Sequence, residues 1–321
     1  MAGERGRARL SQPPSAPLMP IERELFLRSI GGAPAQTGVA EQLARAMSDA
    51  SFRAGEIIYR AGDFTRRIHF VTHGEVELTA DGGEPWRLLA PAVIGVLDVN
   101  MRRPFSRTAT AITDVRALVL GADDWLEVID ENFDYATAAI VRLSADVHRL
   151  HLSLSPSGGF HEPLPPSDEE PHALNIQERT LALLPVSCFQ LAGIQALATL
   201  ATGAVERSLE RGERLFTLDE PATSFFVVAR GIVQIQREAP LIQARFGPGS
   251  IIGGAAAFSL ATQQYTAHAE TRAVVLEIRR EDLIDALEDH VEMVHAMFAG
   301  LGSERERIMN ERARLAKLAT S

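Results

Sequence analysis

The sequence predicts a mainly β protein with flanking helices: two jelly-roll β-barrels, each followed by a closing helix. Three observations predict it. Ser51–Leu78 recurs as Ser208–Ile235 with its glycines in register. Short apolar runs that end at a glycine recur along both stretches. After each comes a longer segment with apolar residues at helical spacing.

The repeat carries most of the argument. SFRAGEIIYRAGDFTRRIHFVTHGEVEL lies over SLERGERLFTLDEPATSFFVVARGIVQI. Gly55-Glu56 falls on Gly212-Glu213, Ile58-Tyr59 on Leu215-Phe216 and Gly74 on Gly231, without a gap. One inserted residue later, Ile94-Gly95 falls on Ile252-Gly253, Thr108-Ala109 on Thr266-Ala267, Leu118 on Leu276 and Asp124 on Asp282.

Each repeat reads mostly as strands. Ile68–Val71 and Phe225–Val228 are apolar runs of strand length, and Glu75-Val76-Glu77-Leu78 alternates as a half-buried strand does. Turn residues between such runs fit a small barrel or jelly roll. Helices are expected before each barrel, at Pro20–Ile30 and Val39–Met47, then at Gln177–Leu184 and Leu191–Thr202. After the first barrel, Phe133, Ala136, Ile140, Leu143, Val147, Leu150 and Leu154 alternate spacings of three and four, an a/d seam. After the second, Leu287, Val294, Leu301, Ile308 and Leu315 recur every seven residues, while the matching row fails at Arg305 and Arg312. Gly300 and Gly302 are expected to interrupt this helix, since each costs about 1 kcal/mol in a helix interior. Either helix packs on its own barrel or pairs with another chain, so a homodimer through 131–154 or 283–318 is one expectation.

Composition sets the domains and excludes several classes. At 321 residues, 46% hydrophobic and 23% charged, the chain can bury a core and is not a disordered protein. Residues 1–20 read as a flexible arm, rich in Arg and Pro. Residues 155–172 read as a Pro/Ser/acidic linker. Domains are therefore expected at 21–154 and 173–321. A net charge of −10 argues against a broad nucleic-acid or anionic-membrane surface. Cys188 is the one cysteine, so no disulfide within the chain and no cysteine zinc site is expected. It reads as a small buried hydrophobe. No apolar run has the length of a membrane span and no signal-peptide core opens the chain. A cytoplasmic setting is expected, and the Ala/Arg-rich, Lys-poor usage fits a GC-rich bacterial source.

Here the residues reach a family. The string Arg53-Ala54-Gly55-Glu56-Ile57-Ile58-Tyr59-Arg60-Ala61-Gly62-Asp63, followed by Val71-Thr72-His73-Gly74-Glu75-Val76-Glu77-Leu78, resembles bacterial cyclic-nucleotide-binding domains. The tandem layout resembles kinase regulatory subunits, and each repeat resembles the sensor half of catabolite-activator-type regulators. The resemblance implies a cassette in which backbone N–H groups and one Arg hold a cyclic phosphate, while a Glu holds the ribose hydroxyl.

In repeat one the cassette positions are Gly95, Val96, Leu97, Asp98, Arg107 and Thr108. Val96 stands at the ribose Glu position and cannot accept a hydroxyl hydrogen bond; Asp98 is the nearest substitute. Arg107 is either the centre of an altered anion site or a relic satisfied by local carbonyls or a carboxylate. In repeat two the positions are Gly253, Gly254, Tyr265 and Thr266, with Gly254 for the Glu and Tyr265 for the Arg. Both charged grips are absent there.

Other chemistry is thin. The nine histidines form no metal-ligand pattern, with His290 and His295 five apart, and His69 reads as a strand surface residue. Nucleophile-elbow, Walker and dinucleotide motifs are missing. No enzyme active site, metal or resident cofactor is expected. The activator-type helix-turn-helix needs more chain than follows the second closing helix. Arg7-Ala8-Arg9-Leu10-Ser11 is a basic string of the kind found in kinase-inhibitory arms. The functional expectation is a non-enzymatic regulatory or scaffold protein that uses two degenerate barrels for protein interaction. The alternative is a cyclic-nucleotide or small-anion sensor centred on Arg107. A kinase-type inhibitory subunit acting through the arm is a third reading.

Overall fold

The computed structural model describes residues 19–31, 37–64, 66–154, 172–259 and 261–320. The expected arm up to residue 18, with its basic string, and the linker residues 155–171 lie outside the described residues. Pro20 already opens the first helix.

Repeat one runs α1 (Pro20–Gly31), α2 (Thr37–Ala46), β1 (Ser48–Phe52), β2 (Ile57–Tyr59), β3 (Arg67–His73), β4 (Glu75–Thr79), β5 (Trp86–Leu89), β6 (Ala92–Ile94), α3 (Val96–Asn100), β7 (Thr108–Ala111), β8 (Val115–Gly121), α4 (Ala122–Glu131) and α5 (Phe133–Leu152). Repeat two runs α6 (Ile176–Leu183), α7 (Ile194–Gly203), β9 (Val205–Leu209), β10 (Arg214–Phe216), β11 (Ser224–Arg230), β12 (Val233–Arg237), β13 (Ile242–Phe246), β14 (Ile251–Ile252), α8 (Gly254–Phe258), β15 (Thr266–Ala269), β16 (Ala273–Arg279), α9 (Arg280–Asp289) and α10 (Val291–Thr320).

Each repeat holds two antiparallel four-stranded sheets, ordered β1-β8-β3-β6 and β2-β7-β4-β5 in the first. The second repeats the order as β9-β16-β11-β14 and β10-β15-β12-β13. The apolar runs behave as read: Ile68, Phe70 and Val71 are buried in β3, and Phe225–Val228 in β11. Gly74 sits at φ +94, and a Cβ there would meet the Asp114 carbonyl, which is why both repeats keep a glycine at the β3–β4 and β11–β12 turns.

Helix α6 begins at Asn175, whose side chain accepts from the Gln177 and Glu178 backbones while Glu178 reaches back to Asn175 N–H. Helix α7 starts at Ile194, three residues later than its apolar pattern; Leu191–Gly193 lead into it as loop, with Gly193 as the N-cap in extended conformation.

Each barrel has its own apolar interior, and a third cluster joins the helices and covered sheets of the two repeats. Leu43, Trp125 and Ile140 of repeat one and Leu197, Phe225 and Met297 of repeat two belong to the same buried cluster. The seam of α5 is occupied within the chain: α5 packs along α10, with Val147 and Leu154 buried against Ile308. An ion pair from Asp146 to Arg305 at 3.1 Å and a hydrogen bond between Asp130 and His295 at 2.6 Å also tie α10 to repeat one.

Two sequence expectations are corrected. Gly300 and Gly302 do not interrupt α10, which is continuous from Val291 to Thr320. They let the helix approach closely: a Cβ at Gly300 would run into Cys188 Cα and Ser187 O, and one at Gly302 into Leu97. His69 is buried at 6% exposure, because β3 is covered on both faces and the ring packs beside Phe52 and Tyr59.

Candidate functional site

The cassette of repeat one is built by a tight turn into a short helix. Gly95 caps α3 at φ +85, where a Cβ would press on the Phe105 ring and the Arg67 carbonyl at 3.0 and 3.1 Å. Phe105 stacks on Tyr59 with ring centroids 3.8 Å apart, so the barrel wall beneath the turn is closed by aromatic surface. Val96 packs against the shared core. Leu97 lies against Gly302 of α10. Thr108 accepts a hydrogen bond from Ala61 N–H at 3.0 Å, and Thr266 does the same for Leu218 N–H at 3.1 Å. These threonines tie loops together in both repeats.

Asp98 is buried and committed. Its Oδ1 accepts from Arg103 Nε at 2.6 Å, and its Oδ2 accepts from the Ser106 backbone and hydroxyl at 3.2 Å. Arg103 spends its other arm on Glu306 of α10, also at 2.6 Å. Asp98 and Glu306, the two carboxylates whose charge acts on Arg107, are therefore both engaged with Arg103.

Arg107 is 5% exposed. Its guanidinium lies 3.8 Å over the Trp86 ring. Nη1 donates to the Leu78 and Glu84 carbonyls at 3.3 and 3.1 Å, and Nη2 donates to Asn310 Oδ1 at 2.5 Å. Nε is buried without a hydrogen-bond partner. Among the described residues, no carboxylate comes within ion-pair distance of Arg107. Burial pulls its pKa below the ordinary arginine value, against the pull of the Glu306 and Asp98 charges. Its hydrogen-bond acceptors are two backbone carbonyls and one side-chain amide, all neutral.

The cassette of repeat two has the same backbone with different side chains. Gly253 caps α8 at φ +76. The Tyr265 hydroxyl accepts from Gly253 N–H at 3.3 Å, and burial pushes Tyr265 up to about 12. Tyr265 packs with Phe216, which stacks on Phe226. Gly254 has a Cβ position already crowded by Ile251, so no larger side chain fits there without displacing it.

Sequence reasoning did not find the residues that cover these cassettes. Helix α10 of repeat two lies over α3, and α5 of repeat one lies over α8. The offset of 158 that carries Thr108 onto Thr266 also carries Arg107 onto Tyr265 and Leu152 onto Asn310. The covering is therefore reciprocal: Asn310 sits on Arg107, while Leu152 packs against the barrel core that contains Tyr265. A polar side chain meets the charged position and an apolar one meets the apolar position. The signal in the sequence was this offset carried into the helices.

Elsewhere the chemistry is structural. Cys188 is buried, and desolvation raises its thiol to about 12, so it is no thiolate nucleophile. Among the described residues no group of His, Cys, Asp and Glu is arranged to hold a metal ion, and no helix is long and apolar enough to cross a membrane.

A search of curated proteins found no match. Among solved structures, the chain is similar to cAMP-bound PfPKA-R, at 15% identity and TM-score 0.37 over 84% of each chain. It is similar to the regulatory subunit of a cAMP-independent protein kinase A from Trypanosoma cruzi bound to guanosine, at 17% identity and TM-score 0.33, over 87% of this chain and 91% of that one. It is also similar to a cyclic nucleotide-binding-like protein from Brucella abortus, at 24% identity and TM-score 0.31, over 35% of this chain and 98% of that one. The cyclic nucleotide-binding domain family matches residues 50–132 and again 206–290, which together exceed half of the sequence. The chain thus belongs to the cyclic nucleotide-binding domain family and carries that domain twice.

Proposed function

We propose that this is a non-enzymatic regulatory protein, with domains at 21–154 and 173–321, that uses its two degenerate barrels for protein interaction. The observation that carries the reading is that each cassette is occupied by the chain itself. Asn310 takes the free arm of Arg107, and the Tyr265 hydroxyl takes the Gly253 N–H. A ligand at repeat one must first displace the Asn310 amide from Arg107, and one at repeat two must displace the buried Tyr265. A reducing cytoplasmic setting fits the single buried cysteine.

A second reading is favoured by one observation. Arg107 is a buried cation with neutral acceptors only, which suits a small-anion or cyclic-nucleotide sensor with one live site. Calorimetric titration with cyclic AMP, cyclic GMP and cyclic dinucleotides, on the wild type and on Arg107→Ala, separates the two. No binding heat from a folded chain, together with a purified partner protein that reconstitutes a complex, supports the first. Micromolar binding that is lost in Arg107→Ala moves the assignment to the second.

A further inference from the structure

The end of α10 behaves as an occupant of barrel one rather than as part of it. Met309 and Ala313 pack against the barrel-one core, Asn310 reaches Arg107, and Lys317 pairs with Glu84 at 2.6 Å. These residues fall at i, i+1, i+4 and i+8, one face of a helix. The flank away from the barrel carries Ile308, buried against Val147 and Leu154 of α5, and further along the helix Leu315 is exposed. The mouth of the barrel is thus a groove that accepts a helix with apolar side chains, one large and one small, flanking one hydrogen-bond acceptor.

The acceptor that α10 supplies is not the best one for the seat. Arg107 is buried, keeps Nε unpartnered and receives only carbonyl and amide oxygens. The Arg107–Asn310 bond is charge-assisted through its donor alone, whereas a carboxylate would add the opposite charge and could accept two guanidinium N–H groups at once. A carboxylate at the place of the Asn310 amide would pair with the guanidinium across the Trp86 ring.

We propose that the mouth of barrel one is a helix-docking site, held in the resting chain by residues 303–318. Its external partner is an amphipathic helix that presents an Asp or Glu to Arg107 and displaces the α10 plug. This rests on the protein-interaction reading above and names the chemistry of the partner. The tethered plug has the advantage of effective concentration, which is millimolar for short connections, so a neutral competitor is excluded and a charged one is selected. Release of α10 would also free Leu97 and Glu306, and so pass the event to repeat two through the helix that spans both.

The chain's single lysine makes the test specific, since Lys317 is the only lysine in the sequence. A carbodiimide condenses its amine with the Glu84 carboxylate to an amide, the lost water leaving in the urea by-product, whenever the plug is seated. Full-length chain is equilibrated with end-blocked, helix-stabilised peptides of residues 303–318, pulsed with carbodiimide and mapped by mass spectrometry. The peptides carry Lys317→Gln and either Asn310, Asn310→Asp or Asn310→Ala. The 84–317 crosslink is expected in the free chain. The Asp peptide should suppress it at least fivefold and the Ala peptide less than twofold, and Arg107→Gln in the chain should abolish that difference. A full-length Asn310→Ala chain should respond at tenfold lower Asp peptide, a check that does not depend on the stability of the Arg107 variant.

Equal suppression by Asp and Ala peptides, or no crosslink in the free chain, overturns the proposal. Suppression by cyclic AMP or inorganic phosphate but by no peptide also overturns it and favours the sensor. A chain that binds no nucleotide and reconstitutes with a protein partner, yet ignores the Asp peptide, keeps the protein-interaction reading and loses the helix site.

Discussion

Arg107 and Asn310 stand 203 residues apart in the sequence and meet at 2.5 Å between the two repeats. The contact joins the cassette of one barrel to the terminal helix of the other repeat. It decides what the cassette can do, because Asn310 holds the guanidinium arm that an anion would take.

Asn310 is itself exposed, so water can reach the guanidinium arm once the amide is removed. Asn310→Ala should lower stability by about 0.5–1.5 kcal/mol, the net worth of one hydrogen bond. Asn310→Asp should raise it above the Ala variant, because the carboxylate pairs with the guanidinium. Urea midpoints at pH 7 check the order wild type or Asp above Ala; an Ala variant as stable as the wild type would remove the contact from the account.

Gly300→Ala tests close approach against propensity. Alanine gains about 1 kcal/mol over glycine in an isolated helix. Here its Cβ would overlap Cys188 Cα and Ser187 O, which are backbone atoms and cannot swing aside. We expect net destabilisation of about 1–3 kcal/mol, in the range of overpacked cores. Thermal melts of Gly300→Ala against an exposed-site control measure it.

Tyr265→Phe removes the hydroxyl that satisfies Gly253 N–H. The ring and its packing on Phe216 remain. The expected cost is about 1–3 kcal/mol from the unpaired buried amide. Calorimetry should still give no nucleotide heat at repeat two, since neither a cation nor a ribose acceptor is restored. Hydrogen exchange at Gly253 should rise in the variant.

Acid should destabilise the fold in two windows. Burial, with Arg67 nearby, pulls His69 down to about 4; burial, then His151 and Arg237, does the same for His148. The unfolded chain binds these protons from about pH 6.5. Stability therefore falls as pH drops from about 6.5 to 4, by at most about 1.4 kcal/mol per pH decade for each group. Burial would raise Glu304, but hydrogen bonds from Arg307 and His151 hold it at about 2. Its contribution is present above the ordinary carboxylate value and is lost as pH falls from about 4.5 towards 2. Urea midpoints across this range give the slopes, and His69→Gln should roughly halve the slope of the upper window, with His148 supplying the rest, while leaving the lower one.

The sequence by itself determined the two repeats, the strands within them and the cassette positions. The glycines, the period-two runs and the heptad stripes are local patterns, and local patterns survive without knowledge of neighbours. It marked Val96 and Tyr265 as departures from a nucleotide grip for the same reason, because a side chain's chemistry is readable wherever it stands. Only the tertiary structure decided that α5 and α10 pair with each other within the chain and that each covers the other repeat's cassette. Gly300 and Gly302 look like helix breakers until the turn at Ser187–Cys188 and Leu97 are brought against them. His69 reads as a strand surface position until a second layer covers it. Asn310 carries no motif; it matters because a helix rise of about 1.5 Å per residue places it at Arg107 after α10 has crossed between the repeats. Contacts between distant segments depend on how the elements pack, and that is set by the summed burial of many side chains rather than by any one spacing.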